Sequence, residues 1–537
     1  MKEVRDHEDR GHWVLVPMSE VPKGQRVLPS VWSMKRKRHI KSQEVYKWKS
    51  RLNVGGHKQI KDIDYDLTYS PVIAWPTIRL MLAWCVLNGW ITQQLDLVLA
   101  YPHADVERPT YMKLPQGFKW KGRSDTHCLK MIKNLYGQRQ ASRVYFQFLA
   151  KYLTKTCGFK QSTVDPCVFY GVNCILLVYV DDLILCAKSQ EDMDNAVELM
   201  KDNLDLEEKG DLADYLGVNI ERKDDHFVFT QPHLIKSILK DLRLDSNSRS
   251  AATPALVGEA LHADLEGEDH DDHFNYRSVM GKLNYLTKCS RPDLGYAVNA
   301  CARFMSNPKK SHAIAVKRIG RYLLRTADKG FVIKPDKSKS FECYVDASFA
   351  GEWVKHKADL AMVDPNTARS RTGFVILFAG VPLIWSACLQ QTVVLSSCEA
   401  ELVALSAATR ECIFLLRLID EAKKQANIDI NLSDSKIHCK VFEDNQGAIE
   451  VAKEFRLRPR TRHINVKYWH FALFMKEHEG IMSINWIDTK NQLADALTKS
   501  TSIELFNKFT ENICGWIVPG TTTCHENIAT TDYSSKS

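Results

Sequence analysis

The sequence predicts an α+β fold in two composite units, and three observations carry that expectation. Residues 174–187, CILLVYVDDLILCA, are two strongly apolar half-strands around an Asp pair, the pattern of a β-hairpin with both acids at its turn. From Phe341 to Thr498 the pattern reads strand, strand, helix, strand, helix. Between Arg243 and Tyr276 the composition shifts to Ser, Ala, Pro and acid, including Glu266, Glu268, Asp269, Asp271 and Asp272, as in a linker or exposed loop. With 537 residues there is chain enough for several cores.

Residues Trp13 to Arg51 read as short strands and turns that crowd together Lys35, Arg36, Lys37, Arg38, Lys41, Lys47, Lys49 and Arg51. Such a run is a solvated face, an import signal or a phosphate contact. Thr77 to Asn88 fits a buried helix, and Ile91 to Leu99 a β-rich stretch interrupted by Asp96. Val144 to Thr154 and Glu191 to Leu204 have the spacing of amphipathic helices. In the linker, His270 and His273 could hold a metal, but a solvated acidic loop is the favoured reading. A helix is expected after Pro308, capped by Ser311, with Arg318, Arg321 and Arg325 on one face. That face could follow a phosphate backbone or be an ordinary surface. The Thr- and Ser-rich tail from Gly520 is expected to be disordered.

Apolar and charged contents of 45% and 26% are those of a globular protein, and a net charge of +8 permits a nucleic-acid partner without requiring one. The fifteen cysteines lie singly with no C-x-x-C pair, which points to reduced structural thiols inside a cell. No run approaches the roughly 20 apolar residues of a membrane helix, and residues 1–12 lack the apolar core of a signal peptide.

Two adjacent carboxylates against an apolar core repel each other and lose hydration. A cation would compensate, and clustered oxygen ligands suit Mg²⁺. Asp96 in QQLDLVLAY is a lone acid in another apolar run. Brought beside Asp181 and Asp182 by neighbouring strands, it would complete a two-metal site. In the C-terminal unit Asp346 (CYVDASFAG), Glu401 (SSCEAELVAL), Asp444 (VFEDNQGAIE) and Asp495 (QLADALTKS) repeat the logic. Each alone would pass for a cap or a surface acid.

YVDD at 179–182 resembles the box of reverse transcriptases, and its companions occur in order. KWKSRLNVGGHKQ (47–59), DYDLTYSPVIAWPTIRLMLA (64–83), LDLVLAYPHADVERPTYMKLPQGF (95–118), NLYGQRQASRVYF (134–146), KGDLADYLGVNI (209–220) and SRPDLGYAVNACARFMSNP (290–308) each resemble a block of Copia-type retrotransposon Pol polyproteins. DASFAG (346–351), SRTGF (370–374), SSCEAEL (396–402), DNQGAI (444–449), RTRHIN (460–465) and ADALTK (494–499) resemble the RNase H blocks of the same family.

The resemblance implies a right-hand polymerase (fingers, palm and thumb) followed by an α/β RNase H-like domain. The expected divisions are 1–245 for fingers and palm, 246–335 for thumb and connection, 336–505 for RNase H, and 506–537 for a partly disordered tail. Asp96, Asp181 and Asp182 match the polymerase metal triad. Asp346, Glu401, Asp444 and Asp495 match the nuclease ligands, Glu401 being preferred to Glu399 by the register of Ala-Glu-Leu. Lys49 and Arg51 match residues that hold the nucleotide triphosphate, and Tyr101 the aromatic that blocks a ribose 2′-hydroxyl. Gly137 and Gln140 match the segment against the nascent base pair, and Tyr215-Leu216-Gly217 the region that positions the primer terminus.

The implied cofactor is Mg²⁺, two ions per site, with Mn²⁺ as a substitute. The implied partners are an RNA template, a DNA primer, the RNA–DNA hybrid, dNTPs and other parts of a polyprotein, with no membrane. The implied place is intracellular and cytoplasmic, within a virus-like particle if the element is complete, with the DNA product destined for the nucleus. Ser142, Tyr145-Phe146 and Asn465 depart from the family pattern without removing a proposed ligand. The alternative reading is a decayed or co-opted remnant that binds nucleic acid without catalysis. The lack of particle, protease and integrase parts favours a remnant or processed product, and the seven intact acids favour chemistry.

Overall fold

The computed structural model describes residues 2–38, 44–117, 125–258, 260–270, 273–353, 364–426, 432–433, 437–454, 470–478 and 480–516. Lys41, Asp271, Asp272, the RTRHIN block and the tail from Gly520 lie outside them. Helix and sheet are mixed throughout, an α+β architecture.

The expected hairpin forms: Cys174–Tyr179 pairs antiparallel with Asp182–Ala187, leaving Val180 and Asp181 at the turn. These strands sit in a six-stranded sheet whose order is Leu206–Gly210, Ile91–Leu97, Asp182–Ala187, Cys174–Tyr179, Val168–Gly171 and Lys160–Gln161. Their continuous apolarity has a physical cause, because both faces of the sheet are covered. On one side Ile175, Leu177, Ile184 and Cys186 meet the helix Trp75–Asn88. On the other, Leu176, Val178, Leu183 and Leu185 meet the helices Ala141–Lys155 and Gln190–Lys201. The helix Trp75–Asn88 starts with Pro76 in its first turn and ends at Gly89 in the left-handed conformation (φ 69°).

Ser30–Arg38 and Val45–Val54 form a long two-stranded ribbon, which is where the sequence crowds its cations. The helix Lys2–Asp9 precedes it, and Glu3 accepts a hydrogen bond from the Leu52 amide. A second small sheet is built from Asp214–Tyr215, Val218–Arg222, Phe227–Thr230 and Phe331–Ile333.

The C-terminal sheet runs Val381–Leu389, Arg371–Phe378, Phe341–Ser348, Cys439–Glu443, Met482–Trp486; the first three strands are antiparallel and the last two join in parallel. The 30-residue helix Ser397–Ala426 packs across it. Sheet and helix together make up the α/β unit expected after Phe341. Two strands exceed the expected pattern, Val381–Leu389 and Met482–Trp486. The former is only half buried along its end, so its alternation was weak.

The two units pack together. Arg79, on the buried helix, donates to the Leu383 carbonyl at 2.8 Å and the Lys288 carbonyl at 2.5 Å, with its guanidinium 4.0 Å from the Trp385 ring centroid. Glu421 accepts from the Thr163 amide at 2.8 Å and its hydroxyl at 2.7 Å, so the long helix is tied to the six-stranded sheet.

The acidic linker is less free than its composition implies. Ala251 N–H donates to the Arg321 carbonyl, Ser311 donates to Asp264, and Lys310 N–H donates to the Glu268 carbonyl. Ser311 is therefore not the cap; the helix spans Lys310–Arg325 with Lys309 at its N-cap position. Arg318 turns to Thr253, whereas Arg321 and Arg325 are exposed. His270 packs on Phe274 and Tyr276 and bonds the Phe274 carbonyl, as a structural histidine does. The residues from 506 continue a helix, Ile503–Cys514, which packs against the segment Pro292–Leu294.

Candidate functional site

Antiparallel pairing sets Asp96 directly opposite Asp182, with Glu207 opposite Asp96 on its other side. Residues in such register share one face of the sheet. Asp181, at the turn, lies 3.7 Å from the Arg51 guanidinium, and Asp96 lies 3.4 Å from Lys209 Nζ. The two cations stand where like charges would otherwise repel. Val180 adopts φ 57°, a strained setting for a β-branched residue that shapes the turn.

The ribbon delivers Arg51 to this place. Lys49 and Arg51, two residues apart, share one face of Val45–Val54 while Leu52 and Val54 are buried on the other. Arg51 lies over the Tyr136 ring at 4.7 Å, and Tyr136 lies 4.9 Å from the Tyr101 ring. Tyr101 in turn meets Tyr145 edge-on at 5.7 Å. The expected residues Asp181, Arg51 and Tyr101 are thus one neighbourhood; Tyr136 and Lys209 were not anticipated.

Gly137 holds the ribbon to this neighbourhood by close approach. With φ 91°, a Cβ there would fall 2.2 Å from the Val54 carbonyl oxygen. Val54 N–H donates to the Tyr136 carbonyl at 2.8 Å. Gln140 is buried and accepts from the Gln59 amide at 3.2 Å. Both residues brace the segment rather than line open space.

The second cluster is tighter. One carboxylate oxygen from each of Asp346, Glu401 and Asp444 lies within 4.8 Å of the others. Among the described residues no other trio, including Asp96, Asp181 and Asp182, meets that spacing. Asp346 lies within the strand Phe341–Ser348 and accepts from the Thr498 hydroxyl. Asp444 follows the parallel strand and accepts from Thr489 at 2.8 Å. Asp495 opens its short helix and pairs with Lys499 at 2.9 Å. Glu399 instead accepts from the Leu395 amide at 2.9 Å, at the start of the long helix, which leaves Glu401 in the cluster.

Burial, with Asp495 beside it, pushes Asp346 up to about 7. Burial and the neighbouring Glu443, Asp346 and Asp444 hold Glu401 well above the usual carboxylate range. Glu443 was not anticipated. It is fully buried, and burial raises it likewise. Strand alternation was the available signal, since Val441 and Glu443 share the inward face. Glu401 Oε2 and Glu443 Oε2 are buried without a hydrogen-bond partner among the described residues. Close, desolvated oxygens of this kind fit a divalent cation.

The consequence for stability has a definite sign. Asp346 binds its proton more tightly folded than unfolded, so its contribution to metal-free stability is fully present below the ordinary aspartate range and is lost as pH rises through about 7. Melting in chelator at pH 5 and pH 8 checks this, and added Mg²⁺ is expected to raise the melting temperature more at pH 8.

Among the described residues no helix is long and apolar enough to cross a membrane. All described cysteines except Cys388 and Cys398 are buried.

Residues 12–257 match the family described as reverse transcriptase (RNA-dependent DNA polymerase). Over 93% of its length the chain is 30% identical to the retrovirus-related Pol polyprotein from transposon TNT 1-94 of Nicotiana tabacum, covering 36% of that protein. It is 30% identical to that from transposon RE2 of Arabidopsis thaliana, covering 33% of it. The chain therefore spans about a third of the length of these relatives. A foamy viral protease-reverse transcriptase solved in complex with dsDNA aligns with 90% of this chain and 81% of its own at 11% identity, with a TM-score of 0.46. Residues 12–257 thus match the reverse transcriptase family, and over nearly its whole length the chain is similar to the Pol polyproteins of plant transposons.

Proposed function

We propose that the chain is an RNA-directed and DNA-directed DNA polymerase that also hydrolyses the RNA of an RNA–DNA hybrid. The observation that carries this reading is Asp96 opposite Asp182 in the sheet, with Arg51 facing Asp181 across the turn. In this reading residues 1–245 are fingers and palm, 246–335 thumb and connection, and 336–505 the nuclease.

Asp96, Asp181 and Asp182 would hold Mg²⁺ in the palm, and Asp346, Glu401, Asp444 and Asp495 would hold it in the nuclease. Bound there, Mg²⁺ lowers the pKa of the attacking hydroxyl or water and offsets the charge of the departing group. Arg51 and Lys49 bind the triphosphate through charge-assisted hydrogen bonds, which orients the α-phosphate toward the primer 3′-hydroxyl. The new phosphodiester forms as pyrophosphate leaves. In the nuclease, water attacks the RNA phosphodiester in line and the ribose 3′-oxygen departs. Template, primer and dNTPs are the partners, and salt weakens the duplex contact steeply.

Primer extension on a primed RNA template with each dNTP, in Mg²⁺, tests this reading. Tyr101 adds a sharper expectation. Its ring stands beside Tyr136, over which Arg51 lies, and the resemblance assigns it the role of blocking a ribose 2′-hydroxyl by bulk. Tyr101→Val raises the ratio of ribonucleotide to deoxynucleotide incorporation by at least about 10-fold, the scale of steric discrimination in a pocket. An unchanged ratio would remove Tyr101 from that role.

A further inference from the structure

The turn Leu216-Gly217 joins Asp214–Tyr215 to Val218–Arg222, and both turn residues have positive φ, 52° and 72°. Two-residue hairpins favour Asn and Gly in that geometry; a leucine there is held against its preference. Three side chains do the holding. Gln94 Nε2 donates to the Asp214 carbonyl at 3.0 Å. Gln231 Nε2 donates to the Gly217 carbonyl at 3.3 Å, and Gln231 Oε1 accepts from Ser290 at 2.8 Å. The Tyr285 hydroxyl donates to the Leu216 carbonyl.

These contacts come from different bodies. Gln94 lies two residues before Asp96 on the same strand and hence on the same face as Asp96 and Asp182. Tyr285 and Ser290 belong to the helix Tyr276–Cys289 and its C-cap, beyond the linker. The turn is therefore mounted between the carboxylate strand and a helix that follows the acidic linker. Tyr285 is partly exposed, 38%, so its ring contributes little to a core and its hydroxyl is the part that acts.

We infer that Tyr285 is a positioning residue: by fixing the Leu216 carbonyl it sets where the primer 3′ terminus lies relative to Asp96 and Asp182. This rests on the polymerase reading given above. It adds that the position of the helix Tyr276–Cys289 is passed to the primer end through the Tyr285 hydroxyl, beside the link from its C-cap Ser290 through Gln231 to Gly217. The inference also explains why Leu216 is tolerated at positive φ, because the turn is braced from both sides.

The test uses the full chain as wild type, Tyr285→Phe, Leu216→Gly and the double variant. A primer–template carrying 2-aminopurine at the primer 3′ end reports terminal stacking by fluorescence without any chemistry. Tyr285→Phe should raise that fluorescence. It should lower kcat for the next nucleotide about 3- to 10-fold, the scale of one hydrogen bond, with KM for dNTP unchanged. The double variant should be no worse than the poorer single, because both act through one turn. Fluorescence and kcat equal to wild type in Tyr285→Phe would overturn the inference, as would additive losses with a raised KM. If the wild type binds but does not extend, the polymerase reading fails. The fluorescence arm still decides the role of Tyr285, an increase supporting it and no change overturning it.

Discussion

Asp346→Asn is expected to abolish cleavage of the RNA strand of a hybrid, by more than about 100-fold, while dNTP incorporation continues at the wild-type rate. Asp346 occupies the central strand and is the carboxylate that the other acids converge on, its oxygen within 4.8 Å of oxygens on Glu401 and Asp444. Asparagine keeps the shape and the Thr498 contact but removes the charge that a divalent cation needs. The same change relieves repulsion among buried acids, so the metal-free variant should melt no lower than wild type. End-labelled RNA annealed to DNA, resolved on a gel, reads the cleavage, and primer extension on the same preparation reads the polymerase. A matched loss of both activities would mean that the two acid clusters are not separate sites.

Arg291→Met should lower stability by about 3–5 kcal/mol, the cost of leaving one member of a buried pair uncompensated. Both side chains of the Arg291–Asp293 pair are wholly buried, at 2.7 Å. Arg291 also donates to the Thr326 carbonyl at 2.9 Å and hydroxyl at 2.7 Å, and Tyr322 donates to Asp293 at 2.8 Å. The guanidinium lies 5.1 Å from the Trp516 ring, which ties in the end of the last described helix. Replacing both partners, Arg291→Met with Asp293→Leu, should cost less than the single change. Urea unfolding followed by tryptophan fluorescence gives the comparison. A single variant within about 1 kcal/mol of wild type would show that the pair is not what holds this corner.

The Asp-Asp hairpin was legible because its strands are apolar on both faces, a pattern that few other local structures produce. Asp346, Glu401 and Asp444 were legible as acids but not as neighbours; their meeting depends on a parallel crossover, and only resemblance to a known order of blocks implied it. Glu443 is masked in the sequence by the adjacent Asp444, although strand alternation turns Glu443 inward. Ser311 looked like a cap by residue type, yet its hydroxyl is spent on Asp264, a partner 47 residues away. Arg79 and Glu421 are similar cases, ordinary charged residues in sequence whose partners lie over 200 residues off. Long-range contacts of this kind are fixed by packing rather than by local pattern.

Incorporation of dNTPs on a primed RNA template in Mg²⁺, compared between wild type and Asp181→Asn/Asp182→Asn, tests the central claim most directly. Wild-type extension that falls by at least about 1000-fold in the double variant, with primer–template binding retained, is the expected result. A folded wild type that binds the primed template and adds no nucleotide would contradict it, and would favour a remnant that binds nucleic acid without chemistry.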